Sequence, residues 1–224
     1  MTAKTLFITG ASSGIGAATA RAAAKSGWNV GLFARSADDL KTLAQDIGDR
    51  ALALPGDATD GAVQADALAT LADRFGGVDA AFANAGRGTS QGGAEAGDPD
   101  DWQAMIDLNV MALLRTVHAA LPHLRRRKGH MVLTGSAAGR RHIAGSVYGA
   151  TKWFVHGFGG NLAEEMHEWG GRCTIVAPGM VDTPFFDEAK PDKLQPEDVA
   201  AAVMHALDAP ARNDVREIFL MPAS

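Results

Sequence analysis

Short apolar runs alternate with longer segments of helical period along this chain, and no other feature narrows its fold so far. The runs are Thr5–Thr9, Asn29–Ala34, Ala51–Leu54, Val78–Ala83, His130–Gly135, Cys173–Ala177 and Glu217–Met221. They are apolar almost throughout, the pattern of strands covered on both faces. Between them lie helical windows at Ile15–Ser26, Ala37–Ile47, Ala62–Phe75, Asp100–Arg127, Val147–Trp169 and Pro196–Leu207. Two windows carry clear start signals: Ser36 followed by Asp38 and Asp39, and the run Gln195-Pro196-Glu197-Asp198. Strand–helix alternation of this kind implies parallel strands joined by right-handed crossovers. The expected fold class is therefore α/β, a three-layer αβα sandwich around a doubly wound parallel sheet of about seven strands. One such domain accounts for residues 1–224. In such sheets ligands bind beyond the C-terminal ends of the strands, so chemistry is expected in the turns that follow them.

The first of those turns reads Thr9-Gly10-Ala11-Ser12-Ser13-Gly14-Ile15-Gly16 and opens an Ala-rich helical window. Glycines at 10, 14 and 16 allow a sharp turn and let the helix press onto the sheet. They also bring the backbone around Ser12 and Ser13 close to a pyrophosphate at the helix N-terminus. The spacing is G-x-x-x-G-x-G rather than G-x-G-x-x-G. Its position between first strand and first helix is nevertheless the context that a Rossmann-like dinucleotide site requires.

Thr-Gly-x-x-x-Gly-Ile-Gly resembles the short-chain dehydrogenase/reductase family, in its classical branch, and the likeness extends over nearly the whole chain. Asn84-Ala85-Gly86 stands where the family has Asn-Ala-Gly after the fourth strand. Leu108-Asn109-Val110 matches the Asn context of the following helix, and Ser136 the serine closing the fifth strand. Tyr148-Gly149-Ala150-Thr151-Lys152 supplies the Tyr-x-x-x-Lys pair, and Pro178-Gly179 with Thr183 the element after the sixth strand. The resemblance implies a catalytic set of Asn109, Ser136, Tyr148 and Lys152. It also implies a cofactor site built from Gly10, Ser12, Ser13, Gly14, Ile15, Gly16, Arg35, Asp57, Asn84, Ala85, Gly86, Tyr148, Lys152, Pro178, Gly179 and Thr183. There is one departure: Ser136 and Tyr148 are 12 residues apart, one fewer than the family's usual interval. Gly139 and Gly145 lie in that stretch and can absorb the deletion.

Tyr148 is the only tyrosine in the chain. A free phenol titrates near about 10, roughly three units above neutrality, so it serves as an acid–base only if its anion is stabilised. Lys152 is one helical turn away on the same face, and its charge is expected to lower the phenol pKa. By resemblance, Ser136 binds the substrate oxygen beside Tyr148, Lys152 also holds the nicotinamide ribose, and Asn109 holds a water linking Lys152 to solvent. Thr183 would hold the carboxamide.

The second strand ends Leu32-Phe33-Ala34-Arg35-Ser36, with no acid to accept ribose hydroxyls and with a guanidinium that suits a phosphate. The expected cofactor is therefore NADP(H) in preference to NAD(H). Asp57 resembles the family acid that contacts the adenine amino group.

The formal net charge of −5 argues against nucleic acid as a partner. The one basic run, Arg125–Lys128, closes a helical window, where cations complement the helix dipole. No window approaches about 18 uninterrupted apolar residues, and no secretory pattern follows Met1, so neither a membrane span nor export is expected. The lone Cys173 lies in an apolar run and reads as a buried thiol in a reducing cytoplasm. The histidines show no metal-like clustering, and no metal is expected. The substrate side should comprise the Arg87–Gly97 and Arg140–Val147 loops and the segment Met180–Lys193, where Phe185 and Phe186 either line an apolar site or close a lid. Arg140, Arg141 and His142 either meet an acidic substrate or are simply solvated. The implied substrate is a small ketone or aldehyde, or the corresponding alcohol. Phe154, Phe158, Leu162, Met166 and Trp169 form an apolar stripe on the Val147–Trp169 window. It reads as core packing or, by resemblance, as the face of a homodimer or homotetramer. Two other readings stand beside the enzyme: a non-catalytic dinucleotide-binding regulator, disfavoured by the intact Ser–Tyr–Lys–Asn set, and a sugar-nucleotide epimerase, disfavoured by the short stretch after Pro178.

Overall fold

The computed structural model describes residues 3–89, 92–186 and 188–223. Seven strands form one parallel sheet in the order β3-β2-β1-β4-β5-β6-β7. They are β1 Thr5–Thr9, β2 Asn29–Ala34, β3 Ala51–Pro55, β4 Ala80–Ala83, β5 His130–Thr134, β6 Arg172–Pro178 and β7 Glu217–Leu220. The helices are α1 Gly14–Lys25, α2 Ala37–Ile47, α3 Gly61–Phe75, α4 Pro99–Ile106, α5 Leu113–Arg127, α6 Val147–His167 and α7 Pro196–Asp208. The expected doubly wound αβα sandwich is what forms.

The inner strands β1, β2 and β4 are largely apolar because both faces are covered. Leu6 and Ile8 of β1 join Leu32, Phe82, Val132 and Val203 in a core on the α1, α2 and α7 side. Phe7, between them, points the other way into a core with Phe33, Leu71, Leu124 and Val155 of the α3, α5 and α6 side. Burying a side chain such as Phe7 contributes about 2–3 kcal/mol. Strand β1 pairs with β2 on one side and β4 on the other, so the winding direction reverses there. The crevice above that reversal, between the turns after β1 and β4, is where such a sheet binds ligands.

Most boundaries match the sequence expectation to within a residue or two. The fourth strand begins at Ala80 rather than Val78, and the fifth ends at Thr134 rather than Gly135. The largest difference lies in the Asp100–Arg127 window. It is not one regular helix but α4, a π-helical stretch Asp107–Ala112, and α5. The wider turn leaves the Ala112 carbonyl free to accept from the Gln64 amide and the Thr116 hydroxyl, at 3.3 and 2.9 Å. The stretch Pro99–Arg127 is long enough to cross a membrane and holds an 18-residue window of mean hydropathy 1.3. Here its apolar residues Val117, Ala120 and Leu124 pack on the sheet.

Candidate active site

Beyond the C-terminal ends of the strands lies a cleft of about 1340 Å³. That exceeds the roughly 300–1,000 Å³ of a drug-sized pocket and suits a dinucleotide with a small substrate beside it. One end is the turn after β1. Gly10 has φ +66° and Gly14 φ +49°, both in the region that favours glycine. A Cβ on Gly10 would stand 3.0 Å from the Ala85 backbone, and one on Gly14 3.1 Å from Thr183 Cγ2. Gly10, Ser12, Ser13, Gly14 and Ile15 line the cleft, whereas Gly16 acts one layer back. A Cβ there would fall 2.1 Å from the Gly10 carbonyl oxygen, so it is the missing side chain that lets α1 seat against the turn. Ser13 begins α1 without a side-chain cap, and no acid sits in the first turn. By contrast Asp60, Asp98 and Ser146 cap α3, α4 and α6. The α1 N–H groups that a cap would take are left for an anion, as pyrophosphate binding requires.

Thr9, at the end of β1, was not singled out by its sequence. Its buried hydroxyl donates to the Phe82 carbonyl and accepts from the Asn84 and Ala85 N–H groups, at 3.0 and 3.2 Å. The Asn84 amide donates to the Thr9 carbonyl at 3.1 Å and accepts from the Thr134 hydroxyl at 3.2 Å. The turn after β4 is thereby fastened to β1 and β5, and Asn84, Ala85 and Gly86 line the cleft.

The catalytic set converges at the other end. Tyr148 is in the first turn of α6, where Ser146 caps the helix through the Gly149 N–H. Its phenol faces the Ser136 side chain across the cleft. Burial pushes its pKa above the ordinary value, and Ser136 pulls the other way. The expectation that Lys152 holds the phenol down is thus not met in this structure. Lys152 Nζ lies 5.8 Å from the Tyr148 ring centroid and donates to the Thr134 carbonyl at 2.8 Å. Burial lowers its own pKa to about 8. Asn109, in the π-helical turn, is buried. Its amide accepts from the Arg87 N–H and donates to the Arg87 carbonyl, both at 2.9 Å, and also donates to Thr151 Oγ1 at 3.2 Å. The side chain therefore clamps the loop after β4 to α6. Neither Thr134, acting through its carbonyl, nor Thr151 carries a sequence signature for these roles.

Arg35, exposed at the end of β2, and Asp57 line the cleft's outer end. The N–H and hydroxyl of Thr59, both at 2.8 Å from Asp57 Oδ1, and the nearby Arg35 charge hold the Asp57 carboxyl below its usual pKa. Arg115 joins this end, donating to the Thr59 carbonyl at 2.8 Å. Pro178, Gly179 and Thr183 line the opposite wall.

On the substrate side, Phe185 stands over Tyr148, ring centroids 5.7 Å apart, and edges Phe186. A Cβ on Gly88 would meet Phe185 at 3.1 Å. Phe185 thus roofs the reacting end rather than the far cofactor end. Arg87 lines this region and is ion-paired with Asp101. Residues 90 and 91 of the Arg87–Gly97 loop, and residue 187 of the Met180–Lys193 segment, lie outside the described residues. Of the basic loop residues, Arg140 is ion-paired to Glu217 and His142 stacks on Trp153, so neither is simply solvated. The shortened loop before Tyr148 is accommodated by Gly145, at φ +63°, where a Cβ would collide with the Gly93–Ala94 backbone at 2.7–2.8 Å. Among the described residues no group of three or more His, Cys, Asp or Glu could hold a metal.

A parallel sheet with an uncapped glycine-rich helix start facing a Ser–Tyr–Lys cluster in one cleft defines an oxidoreductase of Rossmann type. The chain belongs to the short chain dehydrogenase family, whose model matches residues 4–194. It is 34% identical to a serine 3-dehydrogenase of Agrobacterium fabrum over 98% of this chain and 94% of that one. Among solved structures it is similar to an alcohol dehydrogenase of the archaeon Thermococcus sibiricus complexed with 5-hydroxy-NADP. That match has TM-score 0.90 and 30% identity, covering 98% of this chain and 97% of that one. It is also similar to a 3-ketoacyl-(acyl-carrier-protein) reductase of Brucella melitensis complexed with NADH, with TM-score 0.89 and 26% identity, covering 97% of each chain.

Proposed function

We propose that this protein is an NADP(H)-dependent oxidoreductase that interconverts a carbonyl and an alcohol, with Tyr148 as general acid–base. The observation that carries the reading is the convergence of Ser136, Tyr148 and Lys152 in the same cleft as the uncapped α1 N-terminus. When bound, the nicotinamide supplies the hydride or accepts it. The chain does the rest. The α1 N–H groups and Ser12 and Ser13 hold the pyrophosphate, Arg35 takes the ribose phosphate, and Asp57 faces the adenine. Asn84, Ala85, Gly86, Pro178, Gly179 and Thr183 fix the nicotinamide half. Ser136 binds the substrate oxygen, Tyr148 gives or takes its proton, and Lys152, anchored on Thr134, brings positive charge beside it. Phe185 covers the reacting atoms from water.

The substrate is a small ketone, aldehyde or alcohol. The three relatives named above act on unlike substrates, and Phe185, Phe186 and Arg87 are the residues on which the choice depends. The reading extends to a homodimer or homotetramer. Leu162 and Met166 of the apolar stripe are buried in the chain's own core, but Met111 and Phe154 are 38% and 36% exposed, and Phe154 stacks on Phe158 at the outer face. Light scattering at micromolar concentration tests this, and a monomer counts against it. A cytoplasmic location completes the proposal, supported by Cys173, a buried unpaired thiol.

The test is a panel of ketones, aldehydes and alcohols followed at the nicotinamide absorbance with each cofactor. Turnover is expected with NADPH, and Tyr148→Phe should abolish it while leaving NADPH binding intact. A Tyr148→Phe variant that keeps near-wild-type turnover, or tight NADPH binding with no turnover on any substrate, sinks the reading.

A further inference from the structure

The stripe of α6 that carries Tyr148 and Lys152 continues at the same four-residue step to His156. This residue is buried and does not line the cleft. Its ring is wedged between the glycines on either side of Ser136. A Cβ on Gly135 would stand 3.0 Å from His156 Nε2, and one on Gly139 would stand 2.5 Å from its Cδ2. Nε2 lies 3.2 Å from the Ser136 carbonyl oxygen. That oxygen has no proton to give, so Nε2–H donates. The Gly139 N–H reaches the same oxygen at 2.9 Å, which occupies both its lone pairs. On the far side of the ring, Nδ1 faces a Glu217 carboxylate oxygen at 3.4 Å without a hydrogen bond to it. Glu217, at the start of β7, takes two nitrogens of Arg140, with Nε at 3.0 Å. Arg140 closes the one-turn helix Ala137–Gly139 that Ser136 opens. His156 and Glu217 thus grip the Ser136 turn at both ends from the side away from the cleft.

We infer that His156 is a positioning residue for Ser136: its N–H fixes the Ser136 backbone, and Glu217, through Arg140, fixes the far end of the same turn, so that the Ser136 hydroxyl stays on Tyr148. This rests on the oxidoreductase reading above. The consequence is chemical as well as structural. The Ser136 hydroxyl is the group that pulls the Tyr148 phenol down against its burial. A turn that drifts moves that hydroxyl away from Tyr148, whereas the pyrophosphate end of the cleft is untouched.

His156→Leu fills the space without the donor, and His156→Gln returns an N–H at similar reach. The expected result for the leucine variant is a kcat about tenfold lower, the worth of one hydrogen bond, with NADPH Kd by nicotinamide fluorescence unchanged. The glutamine variant should recover most of the loss. A second readout needs no substrate. Tyr148 is the only tyrosine, so ultraviolet difference absorbance follows its ionisation alone. Its midpoint should rise in His156→Leu and return in His156→Gln. A leucine variant matching wild type in both kcat and phenol midpoint overturns the inference, as does a glutamine variant as impaired as the leucine one. If wild type turns over nothing in the panel, the oxidoreductase reading falls, and the phenol titration still decides the role of His156. Should His156→Leu fail to fold, Glu217→Gln replaces it. It is expected to raise the phenol midpoint by a smaller amount, and an unmoved midpoint there overturns the inference.

Discussion

Replacing Gly16 by alanine adds one methyl group at the point where α1 presses on the phosphate turn. The new Cβ would lie 2.1 Å from the Gly10 carbonyl oxygen, 2.8 Å from its carbon and 3.0 Å from Ala11 Cα. All three are backbone atoms, so no side chain can rotate away. The start of α1 has to withdraw by roughly 1 Å to restore normal contact. Overpacking of this kind costs about 1–3 kcal/mol, or on the order of 5 °C in Tm for a chain of this size. The larger effect is on ligand. The N–H groups of the uncapped first turn retreat from the pyrophosphate, and hydrogen bonds to a charged group are worth about 1.5–3 kcal/mol. NADPH affinity should fall on the order of 30- to 100-fold. Thermal unfolding and fluorescence titration with NADPH measure the two effects separately. A folded Gly16→Ala variant that binds NADPH within about twofold of wild type would refute the reasoning, because it would show that the α1 end does not hold the anion.

Three further predictions test other parts of the site. Lys152 is fully buried with its pKa lowered from 10.5 to about 8, so between those values the unfolded chain binds more protons than the folded one. Stability should therefore rise with pH across that window. Lys152→Met should remove this rise and be inactive, as urea unfolding at pH 7 and pH 10 would show; an identical pH dependence in both proteins contradicts it. Arg35→Ala should weaken NADPH binding on the order of tenfold or more and leave NADH within about twofold, measured by titration with each. Thr9→Val strips the acceptor from the Asn84 and Ala85 N–H groups and should cost about 2 kcal/mol, read as a Tm lower by roughly 5 °C.

The sheet was legible because a strand buried on both faces can hardly be written without a continuous apolar run, and six of the seven expected strands both begin and end within a residue of their true limits. The glycines were legible for a related reason. A position such as Gly10, with positive φ and a backbone 3.0 Å from where a Cβ would be, leaves little choice of residue. The π-helical turn at Asp107–Ala112 was not legible, because a one-residue insertion in the helical ladder scarcely disturbs the apolar period over 28 residues. Roles played by backbone carbonyls were also hidden. Lys152 ends on the Thr134 carbonyl and His156 on that of Ser136, and any residue could supply either oxygen. The clamp that Asn109 forms was hidden for the same reason. Its helix position was correct, but its partners are the N–H and carbonyl of Arg87, which only the folded loop brings to it.

The direction of the Tyr148 shift bears on which way the reaction runs easily. A phenol raised above its ordinary value is fully protonated at neutral pH. It is then ready to give a proton to a nascent alkoxide, whereas accepting one from an alcohol requires the minority phenolate, fewer than about one in a thousand at pH 7. Reduction should accordingly be nearly independent of pH from about 6 to 8. Oxidation of the matching alcohol should rise close to tenfold per unit over the same range. Initial rates of both directions, each at saturating cofactor, make the comparison. An oxidation rate already level at pH 7 would mean that the phenol is ionised in the working enzyme, and that some positive group other than Lys152 on Thr134 sets its pKa.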